Sequence, residues 1–141
     1  MNCEEKTIKL STGVSNVVAV ISFIESFTKS AGVKDQEIIN DIILTIEEWF
    51  VNVTKHGFNN GLDGKAIITL SFQDKKTIVI LLKDNGAAFN PLNIASPKVP
   101  TSIEDTPLGG LGIVLIVSLT DEQSYERKNG QNILTLTKII K

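Results

Sequence analysis

Three short stretches of this 141-residue chain bring together groups that can bind a ligand. In EEWFVNVTKHGF, residues 47 to 58, Glu48 and Asn52 stand one helical turn apart, with Lys55, His56 and Gly57 just beyond. In KDNGAAFNP, residues 83 to 91, Asp84 closes an apolar run and Gly86 follows two residues later. A carboxylate placed there can accept a hydrogen bond from an exocyclic amine such as that of adenine, and the glycine leaves space beside it. In LGGLGIVLI, residues 108 to 116, Gly109, Gly110 and Gly112 lead into a helix. Backbone N–H groups can approach an anion at such a point, and the helix N-terminus adds a favourable dipole. Neither GxxxxGK[ST] nor a complete GxGxxG is present, because Leu115 stands where the third glycine of the latter would be. Each stretch alone also fits a plainer reading: a solvated helix face, an Asp-Asn-Gly turn and a generic glycine-rich turn.

Angular placement separates the polar residues of the first stretch. At about 100° per residue, with Glu48 at zero, Asn52 falls near 40°, Thr45 near 60°, Asp41 and Lys55 near −20° and His56 near 80°. The main apolar face, with Ile39, Ile42, Ile46, Trp49, Phe50 and Val53, spans roughly 100° to 200° on the same count. Leu44 and Val51 lie on the other side of the stripe, while Glu47, Asn40 and Thr54 point further outward. Glu48 and Asn52 are therefore flanked by apolar residues on both sides, the pattern of a groove lined with polar groups. Trp49 and Phe50 read as core packing.

The elements that position these residues follow from periodicity. Thr7 to Ser11 alternates weakly and predicts a first strand. From Ser15, apolar residues at Val17, Val20, Ile21, Ile24 and Phe27 predict an amphipathic helix stopped by Gly32. Asp35 is the expected N-cap of a second, longer helix running to about His56 and ending at Gly57. Strands are expected from Lys65 to Gln73 and from Thr77 to Lys83, turned at Asp74 to Lys76. The second, TIVILLKD, is nearly continuous in apolar residues, as expected of a strand covered on both faces or well inside a sheet. All four prolines fall between Asn90 and Leu108, and this aperiodic stretch reads as a lid. A short apolar helix follows the glycines. Strands from Glu122 to Arg127 and Asn132 to Ile139 close the chain, turned by Asn129 and Gly130. The order is βααββ, lid, αββ, one α+β domain over 1–141 with its lid at about 90–108.

Composition narrows the function classes. The chain is 42% hydrophobic and 21% charged, an ordinary soluble globular balance. Its net charge of −2 and scattered basic residues give no electrostatic footprint for nucleic acid. The sole cysteine, Cys3, allows no intrachain disulfide. A cytoplasmic location is expected, since no signal-peptide pattern opens the sequence and no apolar run suits a bilayer.

The ordered set is more specific than its parts. E-x-x-x-N on a helix, D-x-G-x-x-F after a strand, a proline-rich stretch and G-G-x-G-[IL] opening a helix together resemble the ATP-binding fold shared by gyrase B, the heat-shock chaperone, histidine kinases and MutL. Within it, EEWFVNVTKHGF and the closing NGQNILTLTK look like the bacterial anti-sigma factor serine/threonine kinases, and the likeness covers essentially the whole chain. The resemblance implies a Bergerat-type ATP-binding fold, a two-layer sandwich of about three helices on a mixed, mostly antiparallel five-stranded sheet.

It also implies roles for residues. Asn52 would help hold Mg²⁺ against the ATP phosphates, and Glu48 would be the general base toward a serine hydroxyl. Asp84 would bond the adenine amine, Gly86 would give the base room, and Phe89 would pack near the start of the lid. Gly109, Gly110, Leu111 and Gly112 would present backbone donors to the phosphates. Lys55 and His56 would add phosphate contacts, although a capping role for His56 fits as well. The implied function is a kinase acting on an anti-anti-sigma (antagonist) protein and sequestering a sigma factor, with a homodimer possible through the first strand and helix. No Arg or Lys lies between Lys98 and Leu108, so a cationic γ-phosphate contact from the stretch before the glycines is not evident. That departure favours the alternative, a nucleotide-responsive protein-binding module without kinase activity.

Overall fold

The structure is a computed structural model, and its described residues are 3–56, 64–93 and 110–140. Strand β1 (Cys3–Ser11) is followed by a 3-10 turn at Val14–Asn16 and by helices α1 (Val17–Ala31) and α2 (Gln36–His56). Strands β2 (Lys65–Gln73) and β3 (Thr77–Asp84), helix α3 (Gly110–Ser118) and strands β4 (Glu122–Lys128) and β5 (Gln131–Ile139) complete the order. A further 3-10 turn at Pro91–Asn93 opens the stretch read as a lid, most of which lies outside the described residues, as does the expected helix end at Gly57.

The helix boundaries are set by local chemistry. Gly32 ends α1 in the left-handed region (φ 79°), where a side chain would be strained, and its N–H reaches the carbonyls of Lys29 and Thr28. Asp35 starts α2 as expected, its Oδ1 accepting the Glu37 N–H at 3.0 Å.

The five strands form one sheet in the order β1-β2-β3-β5-β4. Every pairing among the described residues is antiparallel, so they show none of the parallel pairing that a mixed sheet would require. Strand β1 begins four residues earlier than Thr7. Glu4, Glu5 and Lys6 hide its start from an alternation test, because an edge strand can leave charged side chains in water while its backbone pairs with β2. β3 lies inside the sheet, between β2 and β5, and only alternate residues are buried. Ile78, Ile80 and Leu82 face the helices, whereas Val79 and Leu81 are half-buried on the opposite face. The helix layer packs Val20, Ile24 and Phe27 of α1 and Ile42, Ile46, Trp49 and Phe50 of α2 against Ile68, Leu70 and Leu136 of the sheet. Phe50 has no exposed surface, and truncating such a side chain to alanine costs about 3–5 kcal/mol.

The connectivity brings distant segments side by side. β3 and β5 are neighbours, yet the chain between them passes through α3 and β4. The end of β3 therefore faces the start of β5, Asp84 pairing directly with Asn132.

Candidate functional site

A cavity of about 350 Å³ opens where α2, α3 and the ends of β3 and β5 meet. That lies within the range of about 300–1,000 Å³ typical of small-molecule sites. Trp49, Asn52 and Val53 of α2 form one wall, and Ile113 and Ile116 of α3 form another. Asp84, Ala87, Ala88, Phe89 and Pro91 line the side at the end of β3, and Tyr125, Asn132 and Leu134 rise from β4 and β5.

Asp84 is the charged group of this lining, and it is 4% exposed. Its Oδ1 accepts the Gly86 N–H at 2.9 Å and Asn132 Nδ2 at 3.0 Å. Burial raises its pKa above the ordinary carboxylate value, while the Asn132 and Gly86 hydrogen bonds and the nearby Arg127 pull it down. Arg127 also donates from Nη1 to the Gly86 carbonyl at 2.8 Å, which pins the turn after Asp84. A buried acceptor facing an apolar slot is suited to one donor on a flat heterocycle.

Of the helical stripe, Glu48 and Asn52 come together, whereas Asp41, Thr45 and Lys55 do not join them. Glu48 and Asn52 both turn toward the first turn of α3 and are half-buried. A Cβ built on Gly112 would meet Glu48 Oε2 at 2.7 Å and Asn52 Nδ2 at 3.1 Å, so glycine at 112 is what lets the two helices approach here. Asn52 thus belongs both to the cavity wall and to the close approach of α2 to Gly112, beside Glu48. Asp41 departs from the stripe: its Oδ2 pairs with Lys138 Nζ at 3.1 Å, and that ammonium also reaches the Leu119 carbonyl at the end of α3. Thr45 is fully buried, and its hydroxyl has no partner among the described residues.

The remaining residues singled out in the sequence divide between the cavity and its surroundings. Gly86 is buried beside Asp84, and Phe89 lines the cavity with 48% of its surface exposed. Lys55 is exposed at the end of α2 and does not line the cavity. Gly110 and Leu111 begin α3, while Gly109 and the His56 side chain lie outside what is described. Trp49, read from the sequence as core packing, belongs to the core cluster and to the cavity wall at once. Asn132 and Tyr125 were not expected in the site. The signal for Asn132 is the strand register, which sets it opposite Asp84.

Among the described residues no group of three or more His, Cys, Asp or Glu side chains could hold a metal ion. The donor set present, one amide oxygen at Asn52 with a carboxylate near it, fits Mg²⁺, which keeps waters and phosphate oxygens as its remaining ligands.

The fold agrees with comparisons to known proteins. A family model for the histidine kinase-like ATPase domain matches residues 10–138, and the chain belongs to that family. ATP use is the property that this membership carries. The serine/threonine-protein kinase BtrW of Bordetella bronchiseptica is 33% identical over 96 residues, which are 68% of this chain and 67% of that protein. The serine-protein kinase RsbW of Bacillus cereus is 30% identical over 106 residues, which are 72% of this chain and 64% of that protein. The chain thus spans about two thirds of these relatives. Among solved structures, the RsbU and RsbW domains of Rv1364c from Mycobacterium tuberculosis match with a TM-score of 0.68 at 17% identity, covering 96% of this chain and 32% of that one. The SiaB–SiaC complex from Pseudomonas aeruginosa matches with a TM-score of 0.58 at 13% identity, covering 94% of this chain and 89% of the matched one. These structures share the fold. No helix among the described residues is long and apolar enough to cross a membrane.

Proposed function

We propose that this protein binds Mg·ATP in the cavity and is an anti-sigma factor serine/threonine kinase, phosphorylating an anti-anti-sigma protein and sequestering a sigma factor. The observation that carries this reading is the joint placement of Glu48 and Asn52 against Gly112, beside a cavity whose far wall presents Asp84. The kinase names of the Bordetella and Bacillus relatives support it.

In this reading each residue has a task. The Asp84 carboxylate accepts from the adenine amine, and the buried Gly86 leaves room for the ring. Trp49, Ile113 and Ile116 exclude water from the base. The glycine-rich entry to α3 presents backbone N–H groups to phosphate oxygens. Asn52 offers its amide oxygen to Mg²⁺, which supplies positive charge against the phosphates when bound. Glu48 takes the proton from the serine hydroxyl. The serine oxygen forms the new bond to the γ-phosphorus, the bond from that phosphorus to the β,γ-bridging oxygen breaks, and ADP departs with the electron pair. Gly112 leaves room for Glu48 and Asn52 side by side, so base and metal ligand can share one geometry.

The test is phosphate transfer from γ-labelled ATP to an antagonist protein. Glu48→Gln keeps the shape of the side chain and removes its basicity. Nucleotide binding is expected to persist while transfer falls by about 10²-fold or more. Transfer at the wild-type rate would remove Glu48 from its role. The second reading, a nucleotide-responsive binding module without chemistry, is favoured by the absence of Arg and Lys from residues 99–108. It requires that the wild-type protein bind Mg·ATP and transfer no label.

A further inference from the structure

Asn132 makes four hydrogen bonds, and all of them secure the cavity wall. Its Nδ2 donates to Asp84 Oδ1 at 3.0 Å and to the Ala87 carbonyl at 2.9 Å. Its Oδ1 accepts the Phe89 N–H at 3.1 Å and the Tyr125 hydroxyl. Two acceptors on one side and a backbone donor on the other fix which end of the amide is which. Both amide protons and both oxygen lone pairs are thereby used, so the side chain has no capacity left for a direct bond to a ligand.

Among the described residues the same network leaves one atom free. The two hydrogen bonds described for Asp84 both fall on Oδ1, and no described residue bonds Oδ2. Asn132 is 7% exposed, sits directly across the ladder from Asp84, and is itself held by Tyr125 from the neighbouring strand.

We propose that Asn132 is a positioning residue for base recognition. It aims the free oxygen of Asp84 at the base amine, and through Ala87 and Phe89 it fixes the chain that leaves the site after the carboxylate. One side chain thus sets the base acceptor and the strap beside it, with Tyr125 locking the amide from behind. This inference rests on the nucleotide reading of the cavity and deepens it, because it locates the selection between amino and oxo purines in a residue that touches neither.

Calorimetric titration with ATP and with ITP, whose base carries a carbonyl in place of the amine, tests it. The wild-type protein is expected to prefer ATP. Asn132→Leu, similar in size and without hydrogen bonds, should weaken ATP binding by about tenfold or more and change ITP binding by less than about twofold, so the preference collapses. Tyr125→Phe removes only the hydroxyl behind the amide and should reduce the same preference by about two- to fivefold. It also keeps the question open to test if the leucine variant fails to fold. A merely structural role would lower the melting temperature and leave the ATP-to-ITP ratio unchanged. Folded variants that retain the wild-type ratio therefore overturn this inference alone. A wild-type protein that binds neither nucleotide overturns the nucleotide reading and this inference with it, and one that binds both equally removes Asp84 from base recognition.

Discussion

Asp84 carries a cost that the rest of the domain must offset. Burial raises its pKa, so the folded state holds its proton more tightly than the unfolded chain does. The contribution to stability is full below the ordinary carboxylate range and is lost as pH rises from there through the folded value. Ionisation within that window weakens the ligand-free domain and readies the side chain for a donor. Both of its hydrogen bonds fall on Oδ1, which an asparagine oxygen would preserve. Asp84→Asn is therefore expected to melt at or above the wild-type temperature at pH 7, by up to about 1 kcal/mol, and to lose the stabilisation by Mg·ATP. Melting curves with and without nucleotide check both halves, and a variant still stabilised by ATP would remove Asp84 from the site. Asp84 could be read from the sequence because an aspartate closing an apolar strand before a glycine is a local pattern. Asn132 could not, since its meaning comes from a partner 48 residues away across a ladder.

Helix α2 was the most legible element, because a 3.6-residue period sorts its side chains without knowledge of what they face. The period placed Glu48 beside Asn52, and the structure turns both onto α3. It could not place Asp41, whose partner Lys138 comes from the last strand, nor divide Trp49 between core and cavity. Gly112 shows what the contact of the two helices demands. In an isolated helix, alanine there would be favoured by about 1 kcal/mol. Here its Cβ would displace the flexible end of Glu48. Gly112→Ala is expected to alter stability by less than about 1 kcal/mol and to lower phosphate transfer by about tenfold or more, because a displacement of an ångström at a reacting group is expensive. Full transfer by this variant would mean that Glu48 need not keep its place beside Gly112.

At the scale of the whole molecule, one antiparallel sheet brings together groups that lie far apart in the chain, and tertiary clamps keep α3 in register with it. Lys138 on β5 joins Asp41 of α2 to the Leu119 carbonyl at the end of α3. Lys138→Met should preserve the aliphatic packing and cost about 1 kcal/mol in urea unfolding. No loss would make the pair incidental. Saturating Mg·ATP supplies the complementary test: at 100 times its Kd it should add about 2.7 kcal/mol to the unfolding free energy. The sheet order was beyond the reach of the sequence, because strand periodicity says which residues share a face and not which strands are neighbours. The chain has a single tryptophan and a single tyrosine, and Trp49 and Tyr125 both stand on the cavity wall. Its indole fluorescence therefore originates at the proposed binding site, and the emission of the unlabelled protein should follow occupancy directly, without an attached dye.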